Sequence, residues 1–257
     1  MKEPILRIKG LTKSFGGLIA VNNIDFELPP GELHAIIGPN GAGKTTFFNL
    51  ISGFLSADAG RVVFYGEDIL GKPPHKISQM GLARTLQVKS VFNGLTVYDN
   101  VWIAAHSRAK FLHPFRSRRK YTDTARRVEQ ILEHMGLTAH ASELAGNLSY
   151  GDVGLVEMAI ALATKPRLIL LDEPIAGMSP EETDRTVAKI RDLSKELNII
   201  LIDHDMEVVF GVADKITVMN QGSILCQGAP GDVAQDKCVQ EAYLGSPEEQ
   251  EAADAES

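Results

Sequence analysis

The apolar and polar positions of this chain change period several times along its length. Residues 5–9 alternate apolar and polar, as a strand with one solvated face does. Residues 25–28 predict a second strand, and Pro29, Pro30 and Gly31 turn it back. The next run, 33–37, is apolar and predicts a buried strand, while Phe47, Phe48, Leu50 and Ile51 predict a helix after it. Residues 60–65 read as a strand with a turn at Gly66. Pro73 and Pro74 open a short helix closing near Gly81, and 82–85 read as a strand. From Val97 the period becomes helical: Val97, Val101, Ala104 and Ala105 share one stripe, and Val128, Ile131, Leu132 and Met135 share another over 121–135. An apolar helix over 153–164, a buried strand over 168–171 and a charged amphipathic helix over 180–196 follow. Residues 199–202 predict a buried strand, 215–220 and 223–227 a hairpin about Gln221 and Gly222, and 239–244 a short helix. There is no internal repeat. Strands alternating with helices place the chain in the α/β class.

Between the strand at 33–37 and the helix after it stands GPNGAGKTT, comprising Gly38, Pro39, Asn40, Gly41, Ala42, Gly43, Lys44, Thr45 and Thr46. It fits the P-loop pattern G-x-x-x-x-G-K-[ST] in the strand–loop–helix setting that the pattern requires. Glycines let successive backbone N–H groups point at one centre and bind phosphate, and the helix start adds its positive dipole end. Lys44 is expected to reach the β- and γ-phosphates, and the Thr45 hydroxyl to hold Mg²⁺.

Composition narrows the rest. A chain of 257 residues, 44% hydrophobic and 23% charged, can bury a full core without staples. Cys226 and Cys238 are too far apart for a C-x-x-C site, so they read as incidental thiols of a reduced, cytosolic protein. The N-terminus lacks the apolar stretch of a secretory signal, and no run has the length of a membrane span, so any membrane role must come through a partner. A net charge of -7 argues against a general nucleic-acid binder. The basic stretch holding Arg108, Lys110, Arg116, Arg118, Arg119 and Lys120 reads better as a solvated loop facing a membrane or an acidic partner than as a nucleic-acid patch. The tail 246–257 is acidic, lacks large apolar residues and reads as disordered.

Further chemistry sits at strand ends. Asp172 and Glu173 emerge at the carboxyl end of 168–171, where open α/β sheets place ligands. This is a Walker B pattern, in which the Asp can hold Mg²⁺ through water and the Glu can orient or deprotonate the attacking water. His204 stands at the tip of 199–202, where it is a surface histidine or touches a γ-phosphate. Gln87 follows the strand at 82–85. LSYGD, 148–152, places Ser149 and Gly151 where a helix N-cap belongs. Phe15, before Gly16 and Gly17 in an expected surface loop, is a core residue or a stacking face for a nucleobase.

In order, Phe15, the P-loop, Gln87, LSYGD, the Asp172–Glu173 pair and His204 resemble the nucleotide-binding subunit of ABC transporters over about residues 3–245. The resemblance implies a P-loop NTPase (RecA-like) core with a mixed sheet, an antiparallel β subdomain and an inserted α-helical subdomain at about 90–165, within an ATP-binding domain at 1–245. It implies that two subunits sandwich two ATP molecules. Ser149 and Gly151 of one would contact the γ-phosphate on the other's P-loop. Phe15 would stack on adenine, Glu173 would polarise water, and Gln87 and His204 would sense the γ-phosphate, with Gln87 also at the metal. It implies membrane permease subunits that dock near residues 87–100, a second ATP-binding subunit that is a copy or a paralogue, and an extracytoplasmic solute-binding protein. The place implied is the cytoplasmic face of the inner membrane.

FGGLIAVNNIDFEL, ARTLQ, LTVYDNV, AGMSPEET, DHDM and VQEAYLG resemble more narrowly the importers of branched-chain amino acids and their relatives for urea, short amides and aromatic acids. An exporter ATPase, as for lipopolysaccharide, is similar over most of this length and is the alternative. A nucleic-acid or translation ATPase fits less well with one P-loop and no sustained heptads, and a small-molecule kinase leaves LSYGD and His204 without a role. Three positions depart from the family pattern: Asp152 where the signature ends in Gln, Val153–Leu155 where Gln-Arg often follows, and Ser179 where Asp is usual.

Overall fold

A computed structural model of the protein describes residues 3–85, 91–107 and 122–244. Gln87, the basic stretch 108–120 and the tail 246–257 therefore lie outside the described residues. The chain forms two compact units, one from its first 74 residues and those from Asn198 onward, the other from His75–Leu197.

The first unit holds two sheets. Strands β1 (Leu6–Phe15), β2 (Leu18–Leu28), β4 (Ala59–Phe64) and β5 (Glu67–Asp68) make an antiparallel sheet in the order β2-β1-β4-β5. The second sheet is mixed. In it β3 (Leu33–Ile37) runs parallel to both β8 (Asn198–Ile202) and β9 (Lys215–Asn220), and β10 (Ser223–Gly228) returns antiparallel to β9. All five residues of β3 are buried, as a central parallel strand requires. Helix α1 (Lys44–Ile51) buries Phe47, Phe48, Leu50 and Ile51, each contributing about 1.5–3 kcal/mol of apolar transfer. Phe26 of β2 meets Phe47 edge to face, tying the antiparallel sheet to the P-loop helix. Helices α7 (Met206–Val212), α8 (Pro230–Gln235) and α9 (Lys237–Leu244) complete the unit.

Phe15 is the last residue of β1 rather than a loop residue. It pairs with Leu18 across the two-residue turn Gly16–Gly17 and is 47% exposed. Strand β2 begins at Leu18, well before the expected residue 25, because its first half has a solvated face and two asparagines that hide the alternation.

The second unit packs helices around a parallel pair, β6 (Leu82–Arg84) and β7 (Leu168–Asp172), in the register Leu82↔Leu168 to Arg84↔Leu170. Helix α2 (Pro74–Met80) leads into β6. Helices α3 (Val97–His106), α4 (Thr122–Met135) and α5 (Tyr150–Ala163) pack on one another, and α6 (Pro180–Ser194) packs on α5. On α4 the buried residues are Val128, Ile131, Leu132 and Met135, the predicted stripe. Helix α5 is buried nearly all round, so it shows no amphipathic period. Thr96 caps α3 by accepting from the Asp99 N–H at 3.0 Å. The buried Asn100 accepts from the Phe92 N–H at 2.8 Å and donates to the Phe92 and Thr96 carbonyls, fixing residues 92–96. Among the described residues no helix is long and apolar enough to cross a membrane.

Candidate functional site

The P-loop in the first unit is shaped by what surrounds it. Gly38 (φ 153°) and Gly43 (φ 97°) allow approaches that no side chain permits. A Cβ at Gly38 would stand 2.1 Å from the Met219 carbonyl oxygen, and one at Gly43 2.2 Å from that of Ala20. Gly222, in the β9–β10 turn, donates to the Ala42 carbonyl at 3.1 Å and accepts from the Asn22 N–H at 2.8 Å. The loop is thus clamped between β2 and the β9–β10 hairpin. Lys44 Nζ donates to the carbonyls of Gly38 (2.6 Å) and Pro39 (3.0 Å), which holds the ammonium over the loop. Thr45 is exposed on the first turn of α1, and Gly43 caps that helix with no side chain, leaving the turn's N–H groups for an anion. Tyr243 on α9 also reaches this loop. Burial pushes its phenol up to about 12, against a Gly38 backbone hydrogen bond that works the other way.

Phe15 carries a cation over its ring. Lys13 Nζ lies 5.4 Å from the ring centroid and is held by Asp58 Oδ1 at 2.7 Å. The Lys13 hydrogen bond first, then the Ser14 N–H, hold the Asp58 carboxyl below its usual range. In the same unit, β8 ends in a turn built on the buried Asp203. Its Oδ1 accepts from the N–H groups of His204 (2.8 Å) and Asp205 (3.1 Å). Asp205 then caps α7 through the Val208 N–H. The turn presents the His204 side chain, 66% exposed, beyond the strand end.

In the second unit β7 delivers Asp172, buried, and Glu173, half-buried. Glu173 adopts a left-handed backbone (φ 49°), a strained conformation for a non-glycine residue of the kind found where function fixes geometry. Asp172 Oδ2 accepts from Arg84 Nη2 at 2.8 Å. Ser149 caps α5, accepting from the Asp152 N–H at 3.2 Å, as the sequence predicted. Each of the three departures from the family pattern has a partner within residues 178–185. Asp152 Oδ1 accepts from Arg185 at 2.7 Å. Gly154 leaves room for Met178, whose Cε would lie 2.7 Å from an added Cβ. Ser179 caps α6 in a full capping box with Glu182, and Glu182 Oε1 also accepts from the Gly151 N–H at 3.0 Å.

Sequence reading passed over Arg84, Glu182, Arg185, Lys13 and Tyr243. Only Glu182 had a local signal, the S-x-x-E spacing from Ser179. Arg84, Arg185 and Tyr243 act through partners distant in sequence, and Lys13, though it covers the nearby Phe15, is held there by Asp58, 45 residues on. Gln87 lies outside the described residues.

The family model for the ABC transporter matches residues 21–176. The high-affinity branched-chain amino acid transport ATP-binding protein LivG of Escherichia coli K12 is 40% identical over 254 residues, covering 95% of this chain and 99% of the relative. The corresponding BraF of Pseudomonas aeruginosa is 40% identical over 253 residues, with the same coverage. A probable LivG of Archaeoglobus fulgidus is 35% identical over 246 residues, covering 94% and 96%. Among solved structures, a nucleotide-free ATP-binding cassette from an ABC transporter superposes with a TM-score of 0.85 at 32% identity, covering 95% of this chain and all of that one. The ADP conformation of an ATP-binding cassette of an ABC transporter matches with the same figures. On these grounds the chain belongs to the ATP-binding cassettes of ABC transporters, ATPases that work with membrane subunits.

Proposed function

We propose that this chain powers an importer of branched-chain amino acids from the cytoplasmic face of the inner membrane. The observation that carries this reading is the near full-length identity to LivG and BraF, whose names state that cargo. The partners are permease subunits, a second ATP-binding subunit that is a copy or a paralogue, and, through the permease, a solute-binding protein. Residues near 87–100 receive the permease.

Each residue has a role in this reading. Gly38, Pro39, Asn40, Gly41, Ala42, Gly43 and Thr46 supply the backbone cradle, and Lys44 binds the β- and γ-phosphates. Phe15 stacks on adenine. Ser149 and Gly151 bind the γ-phosphate held by the partner subunit. Glu173 takes the proton of the attacking water, and Gln87 and His204 sense the γ-phosphate. Phosphoryl transfer needs positioning and charge stabilisation more than covalent chemistry, and these groups provide both.

The donor chemistry fits Mg²⁺. Thr45, Asp172 and Gln87 offer oxygen atoms, and among the described residues no group of three or more His, Cys, Asp or Glu forms an all-protein cage. Magnesium takes one or two protein oxygens and fills its shell with phosphate and water. When bound it would neutralise charge between the β- and γ-phosphates.

The test is uptake in cells whose sole copy is wild type or Lys44→Ala, using leucine, isoleucine, valine, urea, short amides and aromatic acids. Loss of leucine, isoleucine and valine uptake is expected. Loss of another class would reassign the cargo. Unchanged uptake with an altered envelope or drug sensitivity would move the chain to export.

A further inference from the structure

The N–H of Gly151 and the hydroxyl of Ser149 are the groups assigned above to the partner's γ-phosphate. In this chain a carboxylate already stands on them. Glu182 Oε1 accepts from the Gly151 N–H at 3.0 Å, and its Oε2 accepts from the Ser179 N–H at 2.9 Å and the Ser179 hydroxyl at 3.0 Å. Contact is close, since a Cβ on Gly151 would lie 2.8 Å from both Cγ and Oε1 of Glu182. The Ser149 hydroxyl has a carboxylate acceptor too, Asp152 Oδ2 at 2.9 Å, but Arg185 offsets that charge. The charge of Glu182 is met by N–H and hydroxyl donors alone in these bonds.

We propose that Glu182 is a positioning residue of the signature segment, whose carboxylate holds the Gly151 N–H and is exchanged for a γ-phosphate oxygen when two subunits close on ATP. This rests on the ATP-sandwich reading above. Two anions cannot share one donor, so closure requires Glu182 to turn away, and the residue sets how much ATP closure needs. ADP lacks the competing group and leaves the clasp in place. Through Ser179 the exchange also reaches the turn that follows Glu173.

The test is dimer formation against ATP concentration with Mg²⁺, by light scattering, in the Glu173→Gln background that blocks hydrolysis. Adding Glu182→Gln removes the charge while leaving an amide oxygen for Gly151. The half-saturating ATP concentration is expected to fall at least threefold, with ATP binding to the monomer unchanged. Glu182→Asp, which keeps the charge but withdraws it from Gly151, should shift it the same way by less, and serves if the glutamine variant does not fold. A merely structural role predicts the opposite, so a rise or no change in either variant overturns the proposal. If Glu173→Gln alone stays monomeric at saturating ATP, the sandwich reading fails and the clasp falls with it.

Discussion

Arg84 and Asp172 form a buried ion pair, Nη2 to Oδ2 at 2.8 Å, with side chains 6% and 1% exposed. Each ends one strand of the β6–β7 pair. Thr85 extends the junction, donating its N–H to the Leu170 carbonyl at 3.0 Å and accepting from the Asp172 N–H at 3.3 Å. The start of the segment that carries Gln87 is therefore anchored to the Walker B aspartate. Removing one member of a buried pair leaves the other charge without its counter-ion, a cost of about 3–5 kcal/mol. Arg84→Met should lower stability on that scale in urea unfolding, and adding Asp172→Leu should recover part of the loss. Equal, additive losses would show that the pair is not coupled.

Phe15 stands at a strand end with Lys13 over its ring, a platform already polarised by a cation. Base–aromatic stacking contributes about 1–3 kcal/mol. Phe15→Ala should raise the ATP dissociation constant about tenfold, and Phe15→Trp should not. Tripolyphosphate, which has no base, should bind both variants like the wild type in calorimetric titration. A loss seen equally with tripolyphosphate would place the effect in the loop's structure rather than in stacking.

Much of this architecture was legible because its signals are local. The apolar run of β3 and the P-loop after it predict a strand, an anion cradle and a helix from consecutive residues, and α4 shows its buried stripe by spacing alone. The helices that escaped, α7 and α8, are six or seven residues long and carry a valine-rich or proline- and glycine-led sequence with weak helical propensity, and β5 has only two residues. The two helices exist through a cap at Asp205 and through tertiary packing. The same division holds in the site. Lys44 and Glu173 follow from motifs, whereas the partners of Asp172 and Gly151 lie 88 and 31 residues away. No local period reports such pairs.

Acid stability should record the Glu182 network. Hydrogen bonds from the Ser179 N–H first, and from the Gly151 N–H and the Ser179 hydroxyl, hold its carboxyl at about 2 against an ordinary 4.5. A carboxyl depressed in the folded state contributes stability above its unfolded value and loses it as pH falls through the folded one. The difference in melting temperature between wild type and Glu182→Gln should therefore be constant above about pH 5 and shrink as pH falls from about 4.5 toward 2. A difference that stays level through that window would mean the carboxyl is not held by these bonds in solution.

Two glycines of the P-loop separate packing from backbone strain. Gly43 (φ 97°) faces the Ala20 carbonyl oxygen at 2.2 Å from a would-be Cβ, whereas Gly41 (φ 81°) has nothing within 4 Å. Alanine at Gly41 incurs only the left-handed backbone penalty, about 1–2 kcal/mol. Alanine at Gly43 incurs that and must also push the loop off β2, because a backbone carbonyl cannot rotate away as a side chain can. Since the loop's N–H groups bind phosphate only in their converging arrangement, the displacement should reach function. Gly43→Ala should lose at least about tenfold in ATP affinity, equivalent to about 1.4 kcal/mol, and melt lower than Gly41→Ala. Thermal unfolding with nucleotide titration of both variants decides the matter. If the two behave alike, the clamp by β2 does not shape the cradle, and backbone conformation alone accounts for the glycines.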